Sequence, residues 1–143
     1  MQNILIYIII IVPAILIGLG IAVYIFQEHL IFHPEKLSLK YKFIFDIPFE
    51  EKVFNTPDDN VISALIFRAG KSKGIVFYHH GNAGSLDSWG KKAIDFTNKG
   101  YDVLMYDYRG YGKSTGNVKN EKMLYADATL IYKELLYDYK ERD

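Results

Sequence analysis

The sequence contains no cysteine and has no net charge at neutral pH, with 17 basic residues balanced by 17 acidic ones. The absence of cysteine excludes a disulfide framework, a thiolate nucleophile and a zinc-thiolate centre. It does not decide the redox compartment. The balanced charge argues against the basic footprint of a nucleic-acid binder. There is no internal repeat and no low-complexity tract. Histidine is missing from one place that matters chemically: His29, His33, His79 and His80 all precede Ser114, and none follows it. Charge is missing locally too, from all 23 residues between Ile4 and Phe26.

That uncharged run is the first positive feature. At about 1.5 Å per residue it is long enough for a hydrocarbon core of roughly 30 Å. Pro13, Gly18 and Gly20 would weaken a soluble helix but are tolerated in lipid, and Tyr7 and Tyr24 to Phe26 sit near the ends, where aromatic rings favour the interface. A cleavable signal peptide is the competing reading. No Lys or Arg precedes the run, no small-x-small site follows it, and it exceeds the usual apolar core of a signal. A retained single-pass anchor over residues 1–26 is therefore expected, with the lipid bilayer as partner. Lys36, Lys40 and Lys42 lie just beyond it, which places the C-terminal part in the cytoplasm by the positive-inside rule.

Residues 27–42 form a juxtamembrane segment. Pro34 should stop any continuing helix near His33, and Leu30, Ile31 and Phe32 should lie at the membrane surface or against the domain. His29 and His33 are four apart and could share a helix face as metal ligands do, but without a third ligand they are better taken as interfacial polar residues. No metal and no cofactor is expected. Residues 43–143 are enough for one small domain.

Within that domain Phe49 to Phe54 and Val61 to Phe67 predict an antiparallel hairpin, joined by the turn-forming Thr56-Pro57-Asp58-Asp59-Asn60. Ile75 to Tyr78 and Val103 to Tyr106 are short apolar runs of the type buried on both faces of a parallel sheet. Between them a crossover helix should start at Asp87 or Ser88, present Trp89, Ala93 and Phe96, and end at Gly100. The result is a βαβ unit. A last helix, capped by Asn120, should carry the stripe Leu124, Ala128, Ile131 and Leu135 and run out after Tyr139.

Two glycine-rich loops leave the two apolar strands. Gly112-Lys113-Ser114 ends like a phosphate-binding loop, but the position of that motif's first glycine holds Asp107, whose charge would repel phosphate. Gly112-Lys113-Ser114-Thr115-Gly116 spells the letters of a nucleophile elbow. That motif needs its serine between a strand and a helix, and Ser114 is seven residues beyond Asp107, with the next helix only near Asn120. The first loop, His80-Gly81-Asn82-Ala83-Gly84, passes from strand to helix. Its small residues let the backbone turn sharply and let a substrate oxygen come close to N–H groups, as an oxyanion hole requires. A plain strand-to-helix turn is the alternative. His79 and His80, being adjacent, should point to opposite sides of their strand.

These two motifs, one βαβ unit apart, resemble the α/β-hydrolase superfamily. The apolar N-terminus with Gln27, Leu30, Ile31, Phe32 and Pro34 resembles its membrane-anchored, serine aminopeptidase-like branch. The resemblance implies an α/β fold comprising the N-terminal half of a hydrolase sheet. It implies that the Asn82 N–H is one oxyanion donor, with His80, Gly81, Ala83 and Gly84 shaping the turn. It implies that Asp107, Arg109, Gly110, Gly112 and Ser114 hold the second loop and do no chemistry. The family carries its nucleophilic Ser after the fifth strand and its acid and His later still. None of those positions falls within these 143 residues. The expectation is the N-terminal portion of a membrane-anchored serine hydrolase for ester or amide substrates, truncated and inactive alone. The alternative is a tethered interaction module, completed by a separate C-terminal chain. In the family's sheet the third strand lies between the fourth and fifth, so Ile75 to Tyr78 should form an open edge.

Overall fold

A computed structural model describes residues 2–139. The chain divides between His33 and Pro34 into two compact units. The first is a single helix, α1 (Gln2–Ile31). It stops two residues short of His33, before Pro34 can withhold a backbone N–H. From Tyr7 to Ile31 it is long and apolar enough to cross a membrane, and the side chains of that stretch are not buried. A soluble core helix or a signal sequence has the same length and composition.

The second unit is built on a four-stranded sheet of β1 (Phe49–Asn55), β2 (Val61–Phe67), β3 (Ile75–Tyr78) and β4 (Asp102–Tyr106), in the spatial order β1-β2-β4-β3. β1 and β2 form the hairpin in the expected antiparallel register, Phe49 opposite Phe67 and Asn55 opposite Val61. β2 pairs antiparallel with β4, and β3 pairs parallel with β4. The crossover between β3 and β4 is a chain of short turns rather than one helix: α2 (Leu86–Trp89), a 3-10 turn (Gly90–Ala93) and α3 (Ile94–Thr97). Its N-cap is Ser85, not Asp87 or Ser88; Ser88 serves instead at N3, where its hydroxyl bonds the Ser85 carbonyl at 2.9 Å. Gly90 sits against the Phe45 and Phe67 rings where a Cβ would collide, so the helix tightens there to keep that approach. Gly100 ends the crossover at φ +85°, as its C′ role requires.

β-strand alternation sends side chains to two cores. Ile62, Ala64, Ile66, Leu104 and Tyr106 pack under Ile131 and Leu135 of α4 (Glu121–Asp138). Leu65, Phe67, Val103 and Met105 pack under Leu86, Ala93 and Phe43 on the other face. Asn120 caps α4 through its side chain, which accepts the Met123 N–H at 3.1 Å. β2 and β4 are the buried central strands. β3 departs from the expectation of burial on both faces: all four of its residues are only half-buried. Its sole ladder partner among the described residues is β4, so solvent reaches its free edge. Lys140 to Asp143, where the last helix was expected to run out, lie outside the described residues.

Candidate functional site

The loop His80–Gly84 leaves the C-terminal end of β3 and enters α2. Each of its five carbonyls is held, four by groups from the surrounding scaffold and one by the loop's own His80 side chain. The Tyr108 hydroxyl donates to His80 O at 2.8 Å and the Tyr111 hydroxyl to Asn82 O at 2.7 Å. His80 Nδ1 donates to Gly81 O at 2.7 Å, and Trp89 Nε1 to Ala83 O at 2.7 Å. The Glu35 N–H donates to Gly84 O at 3.0 Å. A trans peptide points its C=O and N–H in opposite directions. Holding Gly81 O against His80 therefore turns the Asn82 N–H away from the scaffold, and among the described residues nothing accepts it. Small residues are required along this path. A Cβ on Gly81 would press on the Trp89 ring, and Gly84 has φ +82° with Ser88 Oγ where a Cβ would stand.

His79 and His80 do face opposite ways. His79 Nδ1 lies 3.0 Å from the Tyr106 hydroxyl, beside Phe77, and burial holds its pKa below the ordinary value. The His80 ring is buried among Trp89, Tyr108 and Tyr111. Its Nδ1 faces a carbonyl and must carry a proton. Its Nε2 lies 3.5 Å from Asp107 Oδ1 and has no hydrogen-bond partner among the described residues. Burial raises the Asp107 pKa above the ordinary carboxylate value.

Asp107 is fully buried. Its Oδ1 accepts the Leu86 N–H at 2.9 Å, tying the second loop to the start of α2. Gly112, at φ +48°, presses its backbone on Asp107 Oδ2, where any Cβ would collide. Ser114 is buried and doubly engaged, donating to Asp107 O at 2.7 Å and accepting the Ser63 N–H at 2.9 Å. Among the described residues no side-chain base bonds its hydroxyl. Lys113 is committed to Glu51 at 2.7 Å and lies over the Phe43 ring. Gly110 turns at φ +82° next to Asn117. Arg109 is buried between two carboxylates, with Asp127 of α4 at 2.7 and 2.8 Å and Asp58 of the hairpin turn at 2.6 and 2.9 Å. Those bonds hold Asp58 well below the usual carboxylate range. Residues 107–114 thus join the hairpin, α2 and α4, and offer neither a phosphate cradle nor an exposed nucleophile.

Four contributors escape sequence reasoning. Glu35 touches both loops: besides its bond to Gly84, its carbonyl accepts the Gly112 N–H at 2.7 Å and its carboxylate accepts the Ser85 hydroxyl at 3.0 Å. Asp127 had a signal, since it is a charge on the apolar stripe of α4, three residues after Leu124. Tyr108 and Tyr111 had none, because a tyrosine in a loop does not declare which carbonyl it will bind.

Comparison with known proteins agrees with this geometry. A sequence model of the alpha/beta hydrolase fold matches residues 74–134, from the start of β3 into α4. Uncharacterized protein R595 of Acanthamoeba polyphaga mimivirus is 32% identical over 79 residues, covering 54% of this chain and 26% of that protein. The bifunctional esterase/perhydrolase DCH of Acinetobacter calcoaceticus is 39% identical over 41 residues, covering 29% of this chain and 15% of that one. The esterase Pf2001 of Pyrococcus furiosus superposes with a TM-score of 0.55 at 22% identity, over 76% of this chain and 43% of the esterase. The matched region is thus about a quarter or less of the two sequence relatives and under half of the solved structure. The β1-β2-β4-β3 sheet with its two glycine loops is part of an α/β-hydrolase fold.

Proposed function

We propose that this chain supplies the oxyanion-loop side of a membrane-anchored serine hydrolase that cleaves esters or amides. The observation that supports it most directly is the fixing of all five carbonyls from His80 to Gly84, which leaves the Asn82 N–H free to meet a developing negative charge. A donor that needs no reorganisation when charge develops is what oxyanion stabilisation requires. Ester chemistry is favoured by two of the similar proteins, which are named as esterases. In this proposal α1 is a single-pass anchor, the basic residues after it keep the domain in the cytoplasm, and the serine aminopeptidase-like branch is the parent lineage. The nucleophile, acid and histidine lie on a polypeptide outside residues 1–143, and these residues alone do not hydrolyse substrate.

Fluorophosphonate labelling of the full chain tests this. Residues 1–143 should remain unlabelled, Ser114 included. Stoichiometric labelling at Ser114 would sink the proposal. Translation of the DNA downstream of codon 143 should give a strand followed by G-x-S-x-G, and co-expression of that segment should restore labelling on its own serine.

The free edge of β3 favours a second reading, a tethered module that adds a partner strand at Ile75 to Tyr78. The two differ in what co-purifies: a strand bearing a catalytic serine, or one without.

A further inference from the structure

The segment that follows α1 in sequence has an outward face that the hydrolase reading leaves unused. From Leu37 to Phe49 the chain alternates. Tyr41, Phe43, Phe45, Ile47 and Phe49 turn toward the core under β2 and β4, with edge-to-face ring contacts between Tyr41 and Phe43 and between Phe45 and Phe49 and a stacked contact between Phe43 and Phe45. The intervening residues point to solvent. Ser38 to Tyr41 is a tight turn, with the Tyr41 N–H bonded to Ser38 O at 2.8 Å, and Leu39 and Lys40 stand at its tip. Leu39 is 72% exposed and Ile44 is 84% exposed, although every neighbouring apolar side chain is at least partly covered. Lys36, Lys40 and Lys42 flank them, all exposed, and none is in an ion pair among the described residues. Asp46 is the acidic residue on the same face. The base beneath is rigid, since the Leu37 N–H bonds Gly112 O at 2.9 Å and the Tyr41 hydroxyl bonds Asp87 at 2.7 Å.

We propose that this turn and the face running through Ile44 form a contact surface for an anionic lipid bilayer. Two apolar tips on a rigid base, ringed by unpaired lysines, match the chemistry of an interface that offers hydrocarbon below and negative headgroups above. The tether points to the same occupant. Only Phe32 to Ser38 separate the end of α1 from the turn, a reach of at most about 25 Å. A membrane that holds α1 is therefore always within range. The proposal rests on the anchor reading of α1, and adds that the domain docks on the surface instead of swinging on its tether.

The chain's lack of cysteine makes single-site labelling clean. Full-length I44C and I17C variants are labelled with an environment-sensitive fluorophore and placed in phosphatidylcholine vesicles with or without phosphatidylglycerol. The expected result is a blue shift at position 44 and a several-fold loss of iodide quenching in the anionic vesicles. The effect should be smaller in the neutral ones and absent when Lys36, Lys40 and Lys42 are all replaced by Glu. Protection at position 17 with free quenching at 44 overturns the docking surface alone. Free quenching at both positions overturns the anchor as well. Protection at 44 in vesicle-free buffer means that a second copy or another protein segment covers the face, and also overturns the lipid assignment.

Discussion

Arg109 is buried, and both of its carboxylate partners come from distant parts of the chain. Asp127 is buried with it, so removal of the guanidinium would strand a charge in the α4 core, whereas Asp58 is half exposed and can turn to water. Arg109→Ala should therefore cost about 3 kcal/mol or more. Asp58→Asn should cost much less. Denaturant titration of the two variants in detergent checks the order. At Gly112 the argument is steric. Its left-handed backbone already disfavours a side chain, and Asp107 Oδ2 occupies the place of a Cβ. Gly70 has a similar φ, +75°, with open space around it. Gly70→Ala should cost about 1 kcal/mol from strain alone, and Gly112→Ala at least about twice that. Equal losses in thermal melts would refute the close approach of Gly112 to Asp107.

Among the elements, α4 shows how far sequence reasoning reaches. Its cap, its start and its stripe at Ile131 and Leu135 follow from local rules, because capping and 3.6-residue periodicity depend only on near neighbours. The β1-β2 hairpin was legible for the same reason, through its turn residues and alternation. The crossover was legible as helical, but not as a broken helix, because the break answers to a ring from Phe45, some forty-five residues earlier. The partial exposure of β3 could not be read from its apolar composition, which is the same for a central strand and an uncovered one; it agrees instead with the open edge expected from the family's strand order. In the candidate site the backbone donor was suggested by the small residues of His80–Gly84. Its fixing by Tyr108, Tyr111, Trp89 and Glu35 was not, since those contacts exist only once the sheet brings the segments together. One consequence tests the local rules themselves: Asn120→Ala should cost about 1 kcal/mol and raise amide exchange in the first turn of α4, with β1 and β2 unaffected.

For the molecule as a whole the buried and half-buried carboxylates set the response to acid, and they do not all pull the same way. Asp58 is held below the ordinary carboxylate value of 3.8 by its bonds to Arg109 and then Thr56. At Asp102 burial alone would raise the pKa, but the Ala69 N–H, Tyr139 and Arg68 outweigh it and the net shift is downward. A group whose folded pKa is depressed stabilises the fold above its unfolded pKa, and that contribution disappears as pH falls through the folded value. Asp107 has the opposite sign: burial raises its pKa, so protonation relieves it as pH falls, and it cannot produce acid lability. With two depressed carboxylates joining the hairpin, β4 and the residues after α4, stability should fall from about pH 4 to about pH 2. Asp102→Asn removes one of the two. It should start from a lower melting temperature near neutrality and lose less on acidification, because the neutral amide has no proton to gain. Thermal melts of the full chain and this variant across that range decide the matter. Parallel acid limbs in the two proteins would mean that Asp102 is not held below 3.8 in the folded chain, and that its bonds to Arg68 and Tyr139 are too weak to overcome its burial.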